Sequence, residues 1–169
     1  LERIKKIKNL TKFKKINLNP EIIFSILLID DTSNHEYFFH KYRTSNQFMK
    51  NLNLIANNYE IFKKNKNFFK SDFKKNIYLL GKNNIKKLLT FIYCAEPKFS
   101  KDLLDSLILE IENFKIPKLP IDGDFLISRG IIDGKTIGLL LKKLETEWIN
   151  DNFVLDENKI SLFIKKFKD

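Results

Sequence analysis

The sequence is poor in cysteine and glycine and has no long apolar run. One cysteine, Cys94, excludes an internal disulfide. The nearest candidate for a membrane span, residues 22–29, is far shorter than the roughly 18 apolar residues that a span needs. No segment shows the period-two alternation of a half-buried strand. These absences exclude a disulfide scaffold and a membrane-spanning chain, and they leave an all-α protein without a stable sheet as the expected fold.

Helical periodicity recurs from one end of the chain to the other, and start signals separate the helices. Asn19 before Pro20, Ser33 with a glutamate three residues later, Ser45 and Ser100 are typical N-cap residues. Prolines at 117 and 120 indicate a linker. We therefore predict a multi-helix body over residues 1–116 and a small helical tail over residues 117–169.

The net charge of +10 suggests a polyanionic partner, because clustered lysines bind phosphates. All but three of the 31 basic residues are lysine, however, and an AT-rich genome produces the same bias. Residues 1–15 predict a basic amphipathic helix with Ile4, Ile7, Leu10 and Phe13 on one side. Its lysines either contact phosphates or are solvated while the apolar side packs on neighbouring helices, and we favour packing.

Four of the five glycines lie between residues 123 and 138. After Gly134, apolar residues recur at helical spacing, which predicts a short helix, a turn and a long helix to about Asn150, with Trp148 buried. Gly138 falls inside that long helix, where glycine costs about 1 kcal/mol relative to alanine. Close approach of another backbone or of a phosphate would explain it. A phosphate bound at the helix start would meet the donors of Lys135 and Thr136, and a tight turn between packed helices is the alternative.

This stretch resembles the C-terminal signature of the bacterial CCA-adding tRNA nucleotidyltransferase and poly(A) polymerase family. The signature is a proline, G-x-D-L, a second glycine, then G-x-x-[IL]-G-x-x-L and a helix with Glu and Trp. The residues in register are Pro120, Gly123, Leu126, Gly130, Gly134, Ile137, Gly138, Leu141, Glu145 and Trp148. Phe125 and Asp133 depart from the pattern. Upstream, Tyr78-Leu-Leu-Gly81 and Arg43-Thr-Ser-Asn46 resemble two shorter family elements.

The resemblance implies the body and tail of an enzyme that adds CCA to tRNA 3′ ends from CTP and ATP. In that family, this part holds the acceptor arm and elbow of tRNA. The catalytic carboxylates and the Mg²⁺ they bind lie on an N-terminal domain, which we expect to be absent from this chain. The implied RNA-binding residues are Gly130, Gly134, Lys135, Thr136, Gly138, Lys142 and Lys143. We expect a cytoplasmic protein that binds tRNA, reaches nucleotide substrates only through the absent domain, and has no membrane partner.

The sequence offers few residues for chemistry of its own. Asp122 and Asp124 are spaced like a metal-binding pair, but they sit in a Pro- and Gly-containing loop, where capping a helix is the better interpretation. His35 and His40 lack further ligands for zinc. We expect no catalytic residue, cofactor or metal in this chain. The poly(A) polymerase branch, or a non-catalytic helical interaction module, are the alternative functions.

Overall fold

A computed structural model of the protein describes residues 2–11, 19–30 and 32–168, and within these ranges the chain is all-α, as predicted. Ten helices and no strand are found in this described part. They are α1 (Glu2–Thr11), α2 (Pro20–Leu28), α3 (Asn34–Tyr42), α4 (Asn46–Lys64), α5 (Phe73–Leu80), α6 (Lys82–Ala95), α7 (Lys101–Asn113), α8 (Gly123–Ser128), α9 (Gly134–Asn150) and α10 (Glu157–Lys168). No helix among the described residues is long and apolar enough to cross a membrane.

The chain divides into two compact units, Leu1–Phe114 and Lys115–Asp169. In the first unit α6 is the central helix, because residues 88–94 are buried on every side. Helices α1, α2, α4, α5 and α7 all contact it. Their inward aliphatic and aromatic side chains form one continuous core around it.

Capping residues start three of these helices as the sequence predicts. The side chains of Asn19, Ser45 and Ser100 each accept a hydrogen bond from the backbone N–H three residues later. The capping box predicted at Ser33 is wrong, because Ser33 has a ψ of 30° and its side chain makes no cap bond. A capping serine needs an extended backbone to reach that amide. Instead, Asp30 accepts hydrogen bonds from two polar side chains in the turn before α3.

The basic helix at the beginning packs through its cationic residues as well as its apolar ones. Arg3 Nη1 donates to the carbonyl oxygens of Ile26 (3.3 Å) and Ile29 (2.7 Å) at the end of α2. Lys6 Nζ donates to those of Tyr93 (2.8 Å) and Glu96 (2.7 Å) at the end of α6. Leu10 is buried and Ile7 packs against the core, which confirms the packing interpretation for these two residues, whereas Ile4 is 44% exposed and its placement on the packed side is wrong. The predicted continuation through Phe13 to residue 15 lies outside the described residues.

The connection between α4 and α5 contributes to the core, which its lysine- and asparagine-rich sequence did not predict. Phe68 is fully buried there, and its ring contacts those of Phe62 and Phe69 edge-on. The opposite error occurs in α7, where helical spacing predicts that Leu103, like Leu104 and Leu107, points inward, but Leu103 is 43% exposed. Leu103 lies in the first turn of its helix, at the rim, where fewer neighbours surround it.

The second unit is built from α8, α9 and α10, and its short helix, turn and long helix confirm the predicted order. Its core consists of Ile121, Leu126, Ile131, Leu140, Leu144, Ile160 and Ile164. Trp148 is 2% exposed, so its predicted burial is confirmed. The indole meets the ring of Phe153 at 5.0 Å in an edge-to-face contact, which aromatic pairs favour.

Candidate nucleic-acid interface

Gly130 ends α8 in a Schellman motif. The Gly130 N–H donates to the Ile127 carbonyl (2.9 Å), and the Ile131 N–H donates to the Leu126 carbonyl (3.1 Å). Gly130 has a φ of 88°, which is strained for any residue with a Cβ. Ile131 and Leu126 are both buried in the same core, which completes the motif. The glycine at 130 is thus explained by the turn itself.

Asp133 starts α9 as its N-cap residue. Its carboxylate accepts hydrogen bonds from the Thr136 N–H (2.7 Å) and the Thr136 hydroxyl (2.6 Å). These bonds from Thr136 hold the pKa of Asp133 below its usual value. Both Thr136 donors are therefore engaged, and a negative charge already occupies the helix start. A phosphate at this end of α9 would have to rely on lysine side chains rather than on the Thr136 donors.

One exposed stripe runs along α9 from Lys135 through Gly138 to Lys142. These residues recur at steps of three and four, which places them on the same face of the helix. All three are exposed, and the seven helical steps from Lys135 to Lys142 span about 10 Å of helix. No ion pair involves either lysine within the described ranges. Lys143 is also exposed and lies about 100° further round the helix than Lys142, at the edge of the stripe.

The two glycines of α9 face open space. Apart from their own helix and immediate chain neighbours, no atom of the described residues lies within 4 Å of the position a Cβ would take at Gly134 or at Gly138. By contrast, a Cβ at Gly123 would meet Ile137 at 3.6 Å, an ordinary contact. Among the described residues, no other backbone therefore approaches Gly138 closely. The phosphate, which is the other explanation for this glycine, stays a prediction.

Leu139 completes the exposed side of α9 and was missed in the sequence. It is 51% exposed and follows Lys135 by four residues. Its position beside Gly138 and three residues before Lys142 is the sequence signal that would have placed it on this side of the helix. The stripe therefore offers a glycine, two lysines and an apolar side chain to any partner.

The acidic pair and the single thiol have structural surroundings. Asp122 caps α8 by accepting from the Phe125 N–H at 2.9 Å, which confirms the capping interpretation. Cys94 is buried, and burial raises the pKa of its thiol to about 11, so it is a core residue. His35 is buried while His40 is exposed. Within the part of the chain that the structure describes, no group of three or more His, Cys, Asp or Glu residues is arranged to hold a metal ion.

The chain is thus an all-α protein whose second unit carries an exposed glycine and lysine stripe. No family model matches it, and no solved structure matches it with statistical significance. A segment of 60 residues is 32% identical to the human protein CCA tRNA nucleotidyltransferase 1, mitochondrial, and 30% identical to the mouse protein of that name. The segment is 36% of this chain and spans 14% of the length of each relative. This similarity supports a relationship to the CCA-adding nucleotidyltransferases.

Proposed function

We propose that this chain is the tRNA-holding helical part of a CCA-adding tRNA nucleotidyltransferase. The names of the human and mouse relatives support this enzyme class, and the signature around Gly134 and Gly138 supports a place in the body and tail of such an enzyme. In this proposal the chain holds the acceptor arm and elbow of tRNA. Nucleotide addition, with its Mg²⁺, belongs to a domain outside this chain.

The observation that carries the proposal is the exposed stripe of α9. A lysine ammonium group binds a phosphate as a flexible point charge, and Lys135 and Lys142 lie on the same face about 10 Å apart. Gly138 lies between them, where the absence of a side chain allows an RNA backbone to approach the helix closely. The stripe thus combines charge at two points with open access between them.

Binding through this stripe reads the shape and backbone of RNA rather than its sequence. The major groove of an A-form helix is too narrow and deep for side chains, so duplex RNA is recognised through phosphates and 2′-hydroxyl groups. An enzyme that acts on many tRNAs needs this kind of recognition. The proposal therefore predicts similar affinity for tRNAs of different sequence.

The first test is a tRNA titration at several salt concentrations. Lys135→Ala and Lys142→Ala should each weaken binding to all tRNAs alike and reduce the slope of log affinity against log salt by somewhat under one unit. Lys165→Ala is the matched control, because it removes one exposed lysine from α10 of the same unit. Its slope should change less than those of the two stripe variants. Equal slopes for all three variants would remove the stripe from the RNA interface.

The second test assays incorporation of labelled CTP and ATP into tRNA with magnesium. The chain alone should bind tRNA and add no nucleotide, since the proposal assigns the metal-binding carboxylates to another domain. Incorporation by this chain alone would overturn the division of labour proposed here. Addition of ATP without CTP by the enzyme that carries this chain would favour the poly(A) polymerase branch.

A helical protein-interaction module is the second candidate, and the apolar exposure of the second unit favours it. Ile132 is 86% exposed and Leu139 is 51% exposed, both beside the start of α9. Unchanged tRNA affinity in both lysine variants, together with loss of a protein complex in Ile132→Ser, would favour this module.

A further inference from the structure

A second exposed surface lies in the first unit, on α3, and is formed by Tyr37, Lys41 and Tyr42. The tyrosine rings are 64% and 59% exposed, although large aromatic side chains are usually buried. Lys41 Nζ lies 5.6 Å from the ring centre of Tyr37 and 5.5 Å from that of Tyr42. Both distances are within the range of a cation–π contact, so the Lys41 ammonium group contacts both rings.

Partly buried aromatic rings pack behind Tyr42. Its ring centre lies 4.6 Å from that of Phe38, which lies 5.3 Å from that of Phe24 on α2. Phe24 in turn lies 5.4 Å from Phe48 on α4 in an edge-to-face contact. The row of rings joins α2, α3 and α4 and packs against the ring of Tyr42. An aromatic ring that is already packed on one side has less freedom to lose when a planar ligand stacks on it.

The charge around this surface favours an anionic ligand. Between residues 34 and 50 there is one acidic residue, Glu36, against the basic residues Lys41, Arg43 and Lys50. Arg43 follows Tyr42 directly and ends α3 in a left-handed conformation, with a φ of 48°. Glu36 lines a cavity of about 420 Å³ beside the buried His35, near the beginning of α3. Lys41, Tyr42 and Arg43 lie at the other end of α3.

We propose that Tyr37 and Tyr42, with Lys41 beside both rings, bind the unpaired bases of single-stranded nucleic acid. Base stacking on exposed aromatic rings combined with nearby cations is the chemistry by which such strands are held. Lys41 and Arg43 then bind the phosphates that flank the stacked bases. A duplex cannot use this surface well, because its base faces are already stacked on one another. The site lies on a different unit from the stripe of α9 and does not depend on the function proposed for that stripe.

The test uses the whole chain and a labelled oligoadenylate RNA of about twelve nucleotides, a length within the range of single-strand sites. The same DNA sequence and a hairpin with as many phosphates serve as the comparison ligands. Fluorescence anisotropy should show tighter binding of both single strands than of the hairpin. Equal affinity for RNA and DNA indicates stacking alone, and tighter RNA binding adds contacts to the 2′-hydroxyl groups.

Variants distinguish stacking from charge. Tyr37→Ala should weaken single-strand binding roughly 5- to 150-fold, as expected for the loss of one stacked base, while Tyr37→Phe keeps the ring and should bind like the parent. Because Tyr37 is mostly exposed, its loss should leave the fold intact, which circular dichroism checks. Tyr42→Phe should also retain binding. Lys41→Ala should weaken binding more than the control Lys74→Ala, which removes an exposed lysine from α5.

Two outcomes would overturn the proposal. One is a Tyr37→Ala variant that binds the single strand as tightly as the parent does. The other is an equal loss for Tyr37→Ala on the hairpin and on the single strand, since that pattern would indicate a general effect on charge or folding. Both outcomes leave the tRNA experiments on Lys135 and Lys142 unaffected, so failure here is separable from failure of the proposed function.

Discussion

Replacing Gly138 by alanine should stabilise the free protein and weaken its binding to tRNA. The residue lies in the interior of α9, and no atom of the described residues beyond its own helix and immediate neighbours would meet a new Cβ within 4 Å. The substitution therefore carries no steric cost in the free chain. Helix propensity then favours alanine by about 1 kcal/mol. For a chain of 169 residues this corresponds to a rise in melting temperature of roughly 2–4 °C.

The same methyl group should obstruct an RNA backbone that approaches the helix at this point. We expect tRNA affinity to fall about tenfold for Gly138→Ala, equivalent to about 1.4 kcal/mol, and further for Gly138→Leu. The free energy of unfolding should thus rise, and the affinity for tRNA fall, when Gly138 is replaced by alanine or leucine. A glycine kept only by chance would show the rise in stability without the loss of affinity.

Both quantities can be measured on the whole chain. Trp148 is the only tryptophan and is buried in the second unit, so its fluorescence follows the unfolding of that unit. Binding is followed by titration with labelled tRNA. Ser161→Ala in α10 is the control, since it should stabilise the same unit by about 0.5 kcal/mol without changing the stripe. Unchanged affinity in both Gly138 variants would refute the reasoning, and so would a loss of stability in Gly138→Ala.

Three further predictions concern stability. Arg3→Ala and Lys6→Ala should each lower the free energy of unfolding, measured by urea titration, by about 1–3 kcal/mol, because each removes a charged donor from two carbonyls. The control Lys5→Ala, which removes an exposed lysine, should stay within about 0.5 kcal/mol of the parent. Equal values for all three variants would contradict a stabilising role for the bonds of Arg3 and Lys6 to the ends of α2 and α6. Trp148→Ala should cost about 3–5 kcal/mol, and an unchanged denaturant midpoint by circular dichroism would place the residue on the wrong face. Burial and a hydrogen bond to a glutamate raise the pKa of Tyr59 to about 12, above its unfolded value near 10. Its neutral form therefore stabilises the fold fully below about pH 10, and this contribution is lost as the pH rises towards 12. In urea titrations across this range, Tyr59→Phe should make the decline in the free energy of unfolding less steep. An equally steep decline in the variant would argue against the contribution of Tyr59.

Local signals explain why many helix starts could be predicted from the sequence. Asn19, Ser45 and Ser100 cap their helices through bonds to amides three residues away, and such bonds depend on few other residues. The capping prediction at Ser33 was wrong because a cap also needs an extended backbone, which the turn held by Asp30 does not provide. The competition between two nearby polar residues is not visible in a capping pattern.

The surroundings of a residue were harder to predict than its helix. Gly138 was recognised as unusual, but only the folded chain shows that the space around it is open. Phe68 lies in a lysine- and asparagine-rich connection and is buried, whereas Tyr37 and Tyr42 lie in a helical segment rich in aromatic residues and are exposed. Period alone fixes which residues share a face, and tertiary packing decides which faces are covered.

The carbonyl bonds of Arg3 and Lys6 limit where this protein can be shortened. A chain that began after Thr11 would keep every helix of the first unit except α1, and by secondary structure alone it would look like a sound expression boundary. It would nevertheless expose the carboxyl ends of both α2 and α6, the second of which is the central helix of that unit. Fragments prepared for crystallisation or for binding assays should therefore retain the first ten or so residues, even though half of their side chains are lysine, arginine or glutamate.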